Sequence, residues 1–306
     1  MHTFAMLLKS YALDLEYAQR LVASFRQFNV DGIHLFVLVP ADDLAAFAPL
    51  AGDDVTLMSE SELGGHLVTE PTGGMRPGYI NQEIVKLSFW ELGLASNYFC
   101  VDSDAIFIRP FGRADFMRDD TTPYSVLVED NELKVEPRYY REHWVSREES
   151  LRRIQELVGL DDPIIRTCHG HTIFSATVLR SFVEKYLSPR GWDYRDALDE
   201  APYEFSWYNF WLQKSQVIPI HQREPLIKVF HNEDQHLEYI LRGITTDDIA
   251  RGYVGLVINS NYSRDLGLVS PDAPKPVALS PYLSYGEVGQ LLAAKAKDTI
   301  ARRFRH

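Results

Sequence analysis

This sequence has few cysteines, no long apolar runs and no leader-like start, and each absence excludes a class of protein. The 306 residues include two cysteines, Cys100 and Cys168, without a C-x-x-C pair, which excludes a disulfide scaffold, a zinc ribbon and a thioredoxin-type site. The best apolar run, residues 33–39, has the length of a buried strand, whereas a transmembrane helix needs about 20 apolar residues. Residues 1–10 lack the basic, apolar and small-residue order of a secretory signal, so we expect a cytoplasmic protein.

Positive charge is also in deficit. Lysine and arginine number 31 against 43 aspartates and glutamates, which gives a formal net charge of −12. A duplex-binding surface needs concentrated basic charge, so we expect no nucleic acid partner. Hydrophobic residues at 45% and aromatic residues at 12% indicate a globular core, and such rings also suit a sugar-binding cleft.

Strand-like and helix-like patterns alternate through the first third of the chain. Strands are predicted at 4–8, 34–39 and 55–58, with one helix after Asp14, a predicted N-cap, and another at 42–47. Because these strands are apolar throughout, they indicate a parallel sheet covered by helices on both faces. The pattern further predicts strands at 97–101, 105–108, 125–128, 172–175, 217–220, 226–230 and 254–259, and helices at 79–94, 138–158, 177–186, 204–213, 233–242 and 287–303.

The last forty residues differ in composition from the rest. Residues 270–281 contain four prolines and are predicted to be a linker. Residues 287–306 carry five basic and two acidic residues and one apolar stripe at helical spacing. We therefore expect a main domain over 1–265, and over 266–306 a linker with a basic amphipathic helix. Such a helix either docks on the domain or lies on an anionic membrane surface.

The residues richest in chemistry are Asp102, Ser103 and Asp104, which follow the predicted strand 97–101. Two carboxylates leaving a buried strand of an acidic protein need a positive partner. Hard oxygen ligands suit Mg²⁺ or Mn²⁺, and such a cation would in turn hold a diphosphate. The end of a strand in an α/β sheet is where ligands bind, although a solvated turn also produces this pattern.

These segments resemble a known fold family. The stretch YFCVDSDAIFIRPF (98–111) resembles the DxD region of the GT-A glycosyltransferases. The opening at 3–29, with HLFVLVP after it, resembles the first β-α-β unit of that fold. GYINQEIVKLSFWEL (78–92) is similar to the helix before DxD in the bacterial DUF6492-like group, where Q-x-x-x-K-L recurs. The resemblance implies an α/β GT-A fold over 1–265, with a mixed sheet flanked by helices and a C-terminal helical extension.

The resemblance also implies a metal site. In the GT-A enzymes the cation, Mn²⁺ or Mg²⁺, bridges the aspartates and the donor diphosphate, so Asp102 and Asp104 are the implied ligands. A late histidine often completes such a site, and His231 at a strand end is the candidate here. The alternatives are a surface histidine at that position or competition from His236.

The same resemblance places the nucleotide-sugar at the ends of the first strands. Lys86 is expected to neutralise charge on the departing diphosphate, unless it is a solvated helix-face lysine and Arg76 serves instead. His171, in the H-G-H sequence 169–171, is expected to bind hydroxyl groups, with an ordinary polar turn as the alternative. The full set predicted for the nucleotide-sugar is Lys9, Ser10, Tyr11, Gln82, Lys86, Asp102, Ser103, His171 and Trp207.

One motif departs from the related transferases. They often carry F-S-E-Y at a helix start, whereas this chain has Phe205, Ser206, Trp207 and Tyr208. Trp207 is therefore a candidate for stacking on a sugar ring. The neighbouring Glu204 is a candidate catalytic base, although a glutamate at a helix start is favoured by the macrodipole without any function.

The sequence and its resemblance predict a metal-dependent, hexosyltransferase-like enzyme. It would move a sugar from a nucleotide-diphospho-sugar to a glycan or lipid-linked acceptor in bacterial surface polysaccharide synthesis. If the last helix binds a membrane, the enzyme would work at the inner face of the plasma membrane. Inverting and retaining chemistry both stay open. The alternatives are a sugar nucleotidyltransferase, a metal-dependent hydrolase and a non-catalytic sugar-binding protein. A nucleotidyltransferase usually has a Gly-rich loop after the first strand, whereas residues 9–14 of this chain contain no glycine.

Overall fold

The computed structural model describes residues 1–71, 75–128, 137–168, 170–232 and 242–260, with separate residues between 235 and 239 and between 286 and 300. The chain divides into two compact units. The first comprises Met1–Ala12, Val30–Asp102 and Gly112–Pro225, and the second comprises Leu13–Asn29, Ser103–Phe111 and Leu226–His306. The predicted linker lies largely outside the described residues, so the predicted boundary after residue 265 stays a prediction.

Eight strands and eight α-helices are named here in chain order. The strands are β1 (Ala5–Lys9), β2 (His34–Val39), β3 (Val55–Ser59), β4 (Asn97–Val101), β5 (Ala105–Phe107), β6 (Ile173–Ser175), β7 (Ile227–Phe230) and β8 (Gly255–Ile258). The helices are α1 (Leu15–Phe28), α2 (Leu44–Phe47), α3 (Pro77–Ser88), α4 (Pro137–Val158), α5 (Ala176–Phe182), α6 (Tyr194–Glu200), α7 (Glu204–Ser215) and α8 (Thr246–Ala250). None of these helices is long and apolar enough to cross a membrane.

The first unit is built on a five-stranded sheet with the order β3-β2-β1-β4-β6. The first four strands are parallel, and β6 runs antiparallel to β4. Leu8 of β1 pairs with Val101 of β4, so the carboxyl ends of these two strands lie side by side. The predicted fold class, a mixed α/β sheet flanked by helices, is confirmed.

Helices bury the sheet of the first unit in an aromatic-rich core. Helix α7 lies against α3, α4 and α5, and α3 also contacts β1. Tyr98 of β4 and Phe174 of β6 are fully buried, with ring centroids 5.5 Å apart. Continuous burial explains why the strands read as unbroken apolar runs, as parallel strands covered on both faces do.

The second unit has a small sheet with the order β5-β8-β7, in which β8 is parallel to β7 and antiparallel to β5. Helix α1 packs on β5, and the Ser24 hydroxyl accepts a hydrogen bond from the Phe107 N–H at 3.0 Å. Gly255 begins β8. A Cβ atom there would lie 2.7 Å from the Ile106 carbonyl oxygen, so the close approach of β5 and β8 requires glycine.

Several predicted elements differ from the structure. Residues 125–128 and 217–220 form no strand, and Ser125 makes only an isolated bridge with Gln222. The helix predicted at 79–94 begins at Pro77 and tightens into a 3₁₀ turn at Phe89–Leu92. Helices α6 and α8 were not predicted. The predictions at 233–242 and 287–303 fall largely outside the described residues.

Asp14 precedes α1, as predicted, but it does not cap the helix. Its side chain makes no capping hydrogen bond to the first turn. The carboxylate instead accepts a hydrogen bond from the Ser103 hydroxyl at 2.9 Å. A tertiary contact has therefore replaced the local one that the sequence pattern predicts.

Candidate functional site

The candidate site of the first unit lies where β4 ends. All five residues of β4 are buried, and Asp102 follows directly with a side chain that is 34% exposed. A polar group at the carboxyl edge of a parallel sheet is in the position where α/β proteins bind ligands. Asp102 is therefore the residue from which the rest of the site is described.

Helix α3 brings Lys86 to Asp102. Pro77 starts the helix, and the helical repeat places Gln82, Glu83 and Lys86 on neighbouring parts of its surface. The Lys86 ammonium group is 3.5 Å from Oδ1 of Asp102, although the lysine side chain is only 6% exposed. The Gln82 amide group also donates to Oδ1 of Asp102, at 3.4 Å.

Helix α7 supplies the strongest partner of Lys86. The ammonium group donates to Oε1 of Glu204 at 2.9 Å, and it lies 3.9 Å from Oε2 of Glu83. It also lies 4.8 Å from the centre of the Phe205 ring. Burial lowers the pKa of Lys86, but the surrounding carboxylates outweigh it and raise the pKa well above the ordinary value. Lys86 is therefore a buried, permanently charged cation.

Asp102 is held as a carboxylate. Nε2 of His171 lies 3.3 Å from Oδ2 of Asp102, whereas Lys86 lies near Oδ1. Burial raises the pKa of Asp102, but the Lys86 ammonium group and His171 together bring it well below its usual range. The candidate site thus presents a partly exposed negative charge backed by a buried positive one.

The pKa values of the two glutamates beside Lys86 are shifted in opposite directions. Burial and the charge of Glu204 raise the pKa of Glu83 well above its ordinary value. For Glu204, burial acts in the same direction, but the Lys86 ammonium group outweighs it and lowers the pKa. Sequence reasoning missed Glu83, although its spacing of three residues from Lys86 on a predicted helix was a signal.

Lys9 at the end of β1 and the two residues after it, Ser10 and Tyr11, were all predicted to bind the nucleotide-sugar, and they differ in accessibility. The Lys9 ammonium group forms an ion pair with Glu60 at 2.7 Å. The Ser10 side chain is buried, and its hydroxyl has no hydrogen-bond partner among the described residues. Tyr11 is 38% exposed. Their roles stay predictions.

The expectation for Trp207 is wrong. Its side chain is fully buried, and its indole N–H donates to the Ala201 carbonyl oxygen at 2.9 Å. The ring lies 5.9 Å from both Phe182 and Tyr186, measured between centroids. With both faces in the core, the ring cannot stack on a sugar.

The remaining predicted ligands belong to the second unit. The Asp104 carboxylate accepts a hydrogen bond from the Ser260 N–H at 2.8 Å. His231 follows β7 and is partly exposed, and its backbone N–H donates to the Gln235 side chain at 2.7 Å. His236 is buried, and burial lowers its pKa to about 4. His169 lies outside the described residues.

One group of the candidate site, the carboxylate of Asp102, is suited to binding a hard divalent cation. In the part of the chain that the structure describes, no group of three or more histidine, cysteine, aspartate or glutamate side chains is placed to hold a metal. Mg²⁺ in proteins is commonly bound by one or two carboxylates together with substrate phosphates, not by a closed protein cage. An ionised, partly exposed carboxylate such as Asp102 is suited to that kind of binding.

A separate cavity of 370 Å³ lies at the opposite edge of the first unit's sheet. Ala95 and Ser96, which precede β4, line it together with Thr177, Arg180 and Trp90. The Arg180 guanidinium group lies 5.4 Å from the centre of the Trp90 ring. No residue predicted for the nucleotide-sugar lines this cavity.

Comparisons with known proteins identify the family of this chain and similar solved structures, of which one is described here. A solved structure described as the apo form of the WbbM bifunctional glycosyltransferase aligns with 85% of this chain and 46% of that one, at 9% identity and a TM-score of 0.48. The chain thus spans about half of that protein. No curated protein sequence matches significantly. The profile of a family described as a family of unknown function, DUF6492, matches residues 5–243. Because this match covers most of the chain, the protein belongs to the DUF6492 family.

Proposed function

We propose that this protein is a glycosyltransferase that moves a sugar from a nucleotide-diphospho-sugar to a hydroxyl group of a glycan or lipid-linked acceptor. The observation that carries the proposal is Asp102, an ionised and partly exposed carboxylate at the carboxyl edge of the sheet, with the buried Lys86 cation 3.5 Å behind it. Asp102 also opens the only Asp-x-Asp sequence of the chain. Charged groups of both signs at a sheet edge are suited to a diphosphate and its counter-ion.

Lys86 is proposed to stabilise the negative charge that develops on the departing nucleoside diphosphate. A cation that is already fixed in place stabilises such charge without reorganising during the reaction. Its hydrogen bond to Glu204 fixes it, and the low exposure of both side chains strengthens the interaction. This contact favours a charge-pairing role for Glu204 over the predicted role of catalytic base.

Two buried polar groups near Asp102 are proposed to contact the donor. The Ser10 hydroxyl follows β1, the strand beside β4, and the His171 ring lies 3.3 Å from Asp102. Neither the Ser10 hydroxyl nor Nδ1 of His171 has a hydrogen-bond partner among the described residues. Buried polar groups are rarely left unpaired, which supports a ligand that pairs with them.

A divalent cation, Mn²⁺ or Mg²⁺, is proposed as the cofactor. On the sequence motif alone, Asp102 and Asp104 are its proposed ligands, with His231 as the further candidate. When bound with the donor, such a cation polarises the diphosphate and stabilises it as a leaving group.

The test is a panel of nucleotide-sugars, each measured with Mn²⁺ and with a chelator. We expect one donor to raise the melting temperature, as ligands bound to the native state do, and to release nucleoside diphosphate when an acceptor is present. Pyrophosphate release from a nucleoside triphosphate and a sugar phosphate would instead identify a nucleotidyltransferase. Binding without turnover across all acceptors would identify a sugar-binding protein.

Two variants test the residues. Asp104→Ala should abolish Mn²⁺-dependent release while leaving the melting temperature within a few degrees of the wild type. Full activity in this variant would contradict the metal proposal. Lys185→Met, at an exposed lysine, is the control for a changed surface charge.

A further inference from the structure

Glu83 is a buried acid that the proposed function does not use. It is 4% exposed, and its Oε2 atom has no hydrogen-bond partner in the described part of the chain. That oxygen lies 3.9 Å from the Lys86 ammonium group, whereas Glu204 is 2.9 Å away and Asp102 is 3.5 Å away. Lys86 is therefore already paired with two nearer carboxylates before Glu83 is considered.

Three carboxyl groups share one buried cation. Glu204, Asp102 and Glu83 lie 2.9, 3.5 and 3.9 Å from the Lys86 nitrogen, so the cluster would carry a net negative charge if all three were ionised. Burial opposes such an excess of charge, which favours a hydrogen on one of the three carboxyl groups. Glu204 receives the direct hydrogen bond from Lys86, which favours its ionised form. The proton therefore belongs on Glu83.

We propose that Glu83 is a positioning residue whose carboxyl group stays a neutral acid at neutral pH, so that Lys86 keeps Glu204 and Asp102 as its ionised partners. Glu204 then remains a singly charged partner for Lys86, and the ammonium group stays directed between Glu204 and Asp102. An ionised Glu83 would add a competing anion on the α3 side of Lys86. The claim that this placement serves catalysis rests on the proposed function, whereas the location of the proton does not.

The charged and titratable groups around Glu83 all bear on this assignment. Tyr79 and Lys86 face it from α3, Glu204 faces it from α7, and Asp102 faces it from the end of β4. Glu204 and Asp102 are anions and Lys86 is a cation, so the summed charge of these three groups opposes ionisation of a further buried carboxyl group. Tyr79 stays neutral, because burial raises the pKa of its phenol well above the ordinary value. The raised pKa of Glu83, caused by burial and then by Glu204, agrees with the geometry.

Infrared spectroscopy of the wild-type protein locates the proton directly. We expect the carbonyl band of a protonated carboxylic acid at pH 7, and we expect Glu83→Gln to remove that band. A wild-type protein whose carboxylic acid bands all disappear between about pH 4 and 5, the ordinary carboxyl range, would overturn the proposal. This measurement needs no substrate: the wild-type spectrum shows whether a protonated carboxyl group is present, and the Glu83→Gln spectrum assigns it.

Paired substitutions test the positioning role. Glutamine reproduces a neutral, hydrogen-donating Glu83, so Glu83→Gln should keep donor turnover within about threefold of the wild type and the melting temperature within ~2 °C. Glu204→Gln removes a charge that pairs with Lys86, so it should lower the melting temperature by roughly 6–12 °C. Equal damage from the two substitutions would overturn the proposal. If no donor is turned over by the wild type, the proposed function fails, while the band and the melting temperatures still decide the state of Glu83.

Discussion

Lys86 is the residue on which the candidate site depends most. Burying an ammonium group is costly unless its charge and its hydrogen-bond donors are satisfied. Here Glu204 and Asp102 lie 2.9 and 3.5 Å from the same nitrogen. The arrangement holds only while both signs of charge are present, so removing either one leaves the other buried and unpaired.

We expect Lys86→Met to lower the free energy of unfolding by about 3–5 kcal/mol, because it leaves Glu204 buried without its cation. Urea denaturation measures the change. The double variant Lys86→Met with Glu204→Gln should recover part of the loss, since the unpaired negative charge disappears with it. Additive losses in the double variant would show that the two side chains are not coupled. Lys185→Met, at the surface, should stay within about 0.5 kcal/mol of the wild type.

His236 makes the stability of the second unit depend on pH. It is 1% exposed, and its ring centroid is 5.2 Å from that of Phe230. Burial lowers its pKa from 6.5 to about 4, so the unfolded chain binds more protons than the native state between these values. Stability from this residue is therefore fully present above pH 6.5 and is lost as the pH falls towards 4.

We expect the contribution of His236 at pH 5 to be about 2 kcal/mol smaller than at pH 7. Urea denaturation at the two pH values measures it. His236→Gln cannot titrate, so the difference between the two pH values should shrink by that amount relative to the wild type. His221→Gln, at a partly exposed histidine in an irregular segment, is the control. An unchanged pH difference in His236→Gln would place the acid sensitivity elsewhere.

Residue types at the site could be read from the sequence, but their pairings could not. Asp102 and Lys86 were predicted because they belong to short motifs with a chemical meaning. The partnership of Lys86 with Glu204 joins residues 118 positions apart, and no local pattern predicts such a contact. Ser103 shows the same limit, because its hydrogen bond to Asp14 joins residues 89 positions apart.

At the scale of elements, apolar patterns predicted burial more reliably than they predicted strands. β2 and β4 have the predicted bounds because each apolar run pairs with a neighbouring strand on both sides. Residues 126–128 are equally buried, yet they form no ladder. An apolar run therefore reports contact with the core, whereas a strand also needs a neighbour for its backbone groups.

Helix α6 was not predicted, because the sequence feature that specifies its start is polar and not an apolar run. The Asp193 side chain accepts hydrogen bonds from the N–H groups of Arg195 and Asp196, and the Asp196 side chain accepts one from the Asp193 N–H. This reciprocal cap specifies a helix start without an apolar run. The helix spans seven residues, too few for a helical periodicity to stand out.

Helix α7 gives a prediction that separates a core role from a sugar-binding role. Trp207→Phe removes the indole hydrogen bond to Ala201 and part of the buried ring, so we expect a loss of about 1–2 kcal/mol in unfolding free energy. Donor affinity, measured by calorimetry, should stay within about twofold of the wild type, because the ring is fully buried. A large loss of affinity with unchanged stability would restore the stacking role.

At the scale of the whole molecule, charge is distributed unevenly along the chain. The chain carries a net charge of −12, yet residues 287–306 carry five basic and two acidic side chains. Most of this segment lies outside the described residues. Among those described, Leu292 and Ile300 are apolar and are 42% and 56% exposed. Apolar and basic side chains together are typical of a segment that binds an anionic membrane surface, and a lipid-linked acceptor would be found at such a surface.

Vesicle flotation tests this prediction. Each basic residue near anionic headgroups contributes about 1 kcal/mol, so we expect the full chain to float with anionic vesicles at low salt and to be released at high salt. A chain that ends at Tyr282 should stay at the bottom of the gradient, and neutral vesicles should recruit neither protein. Replacing Arg302, Arg303 and Arg305 by glutamate keeps the apolar stripe and reverses the charge, so this variant should also stay at the bottom. If the full chain does not float either, the segment is a helix docked on the protein, and the lipid-linked acceptor loses its support in the sequence.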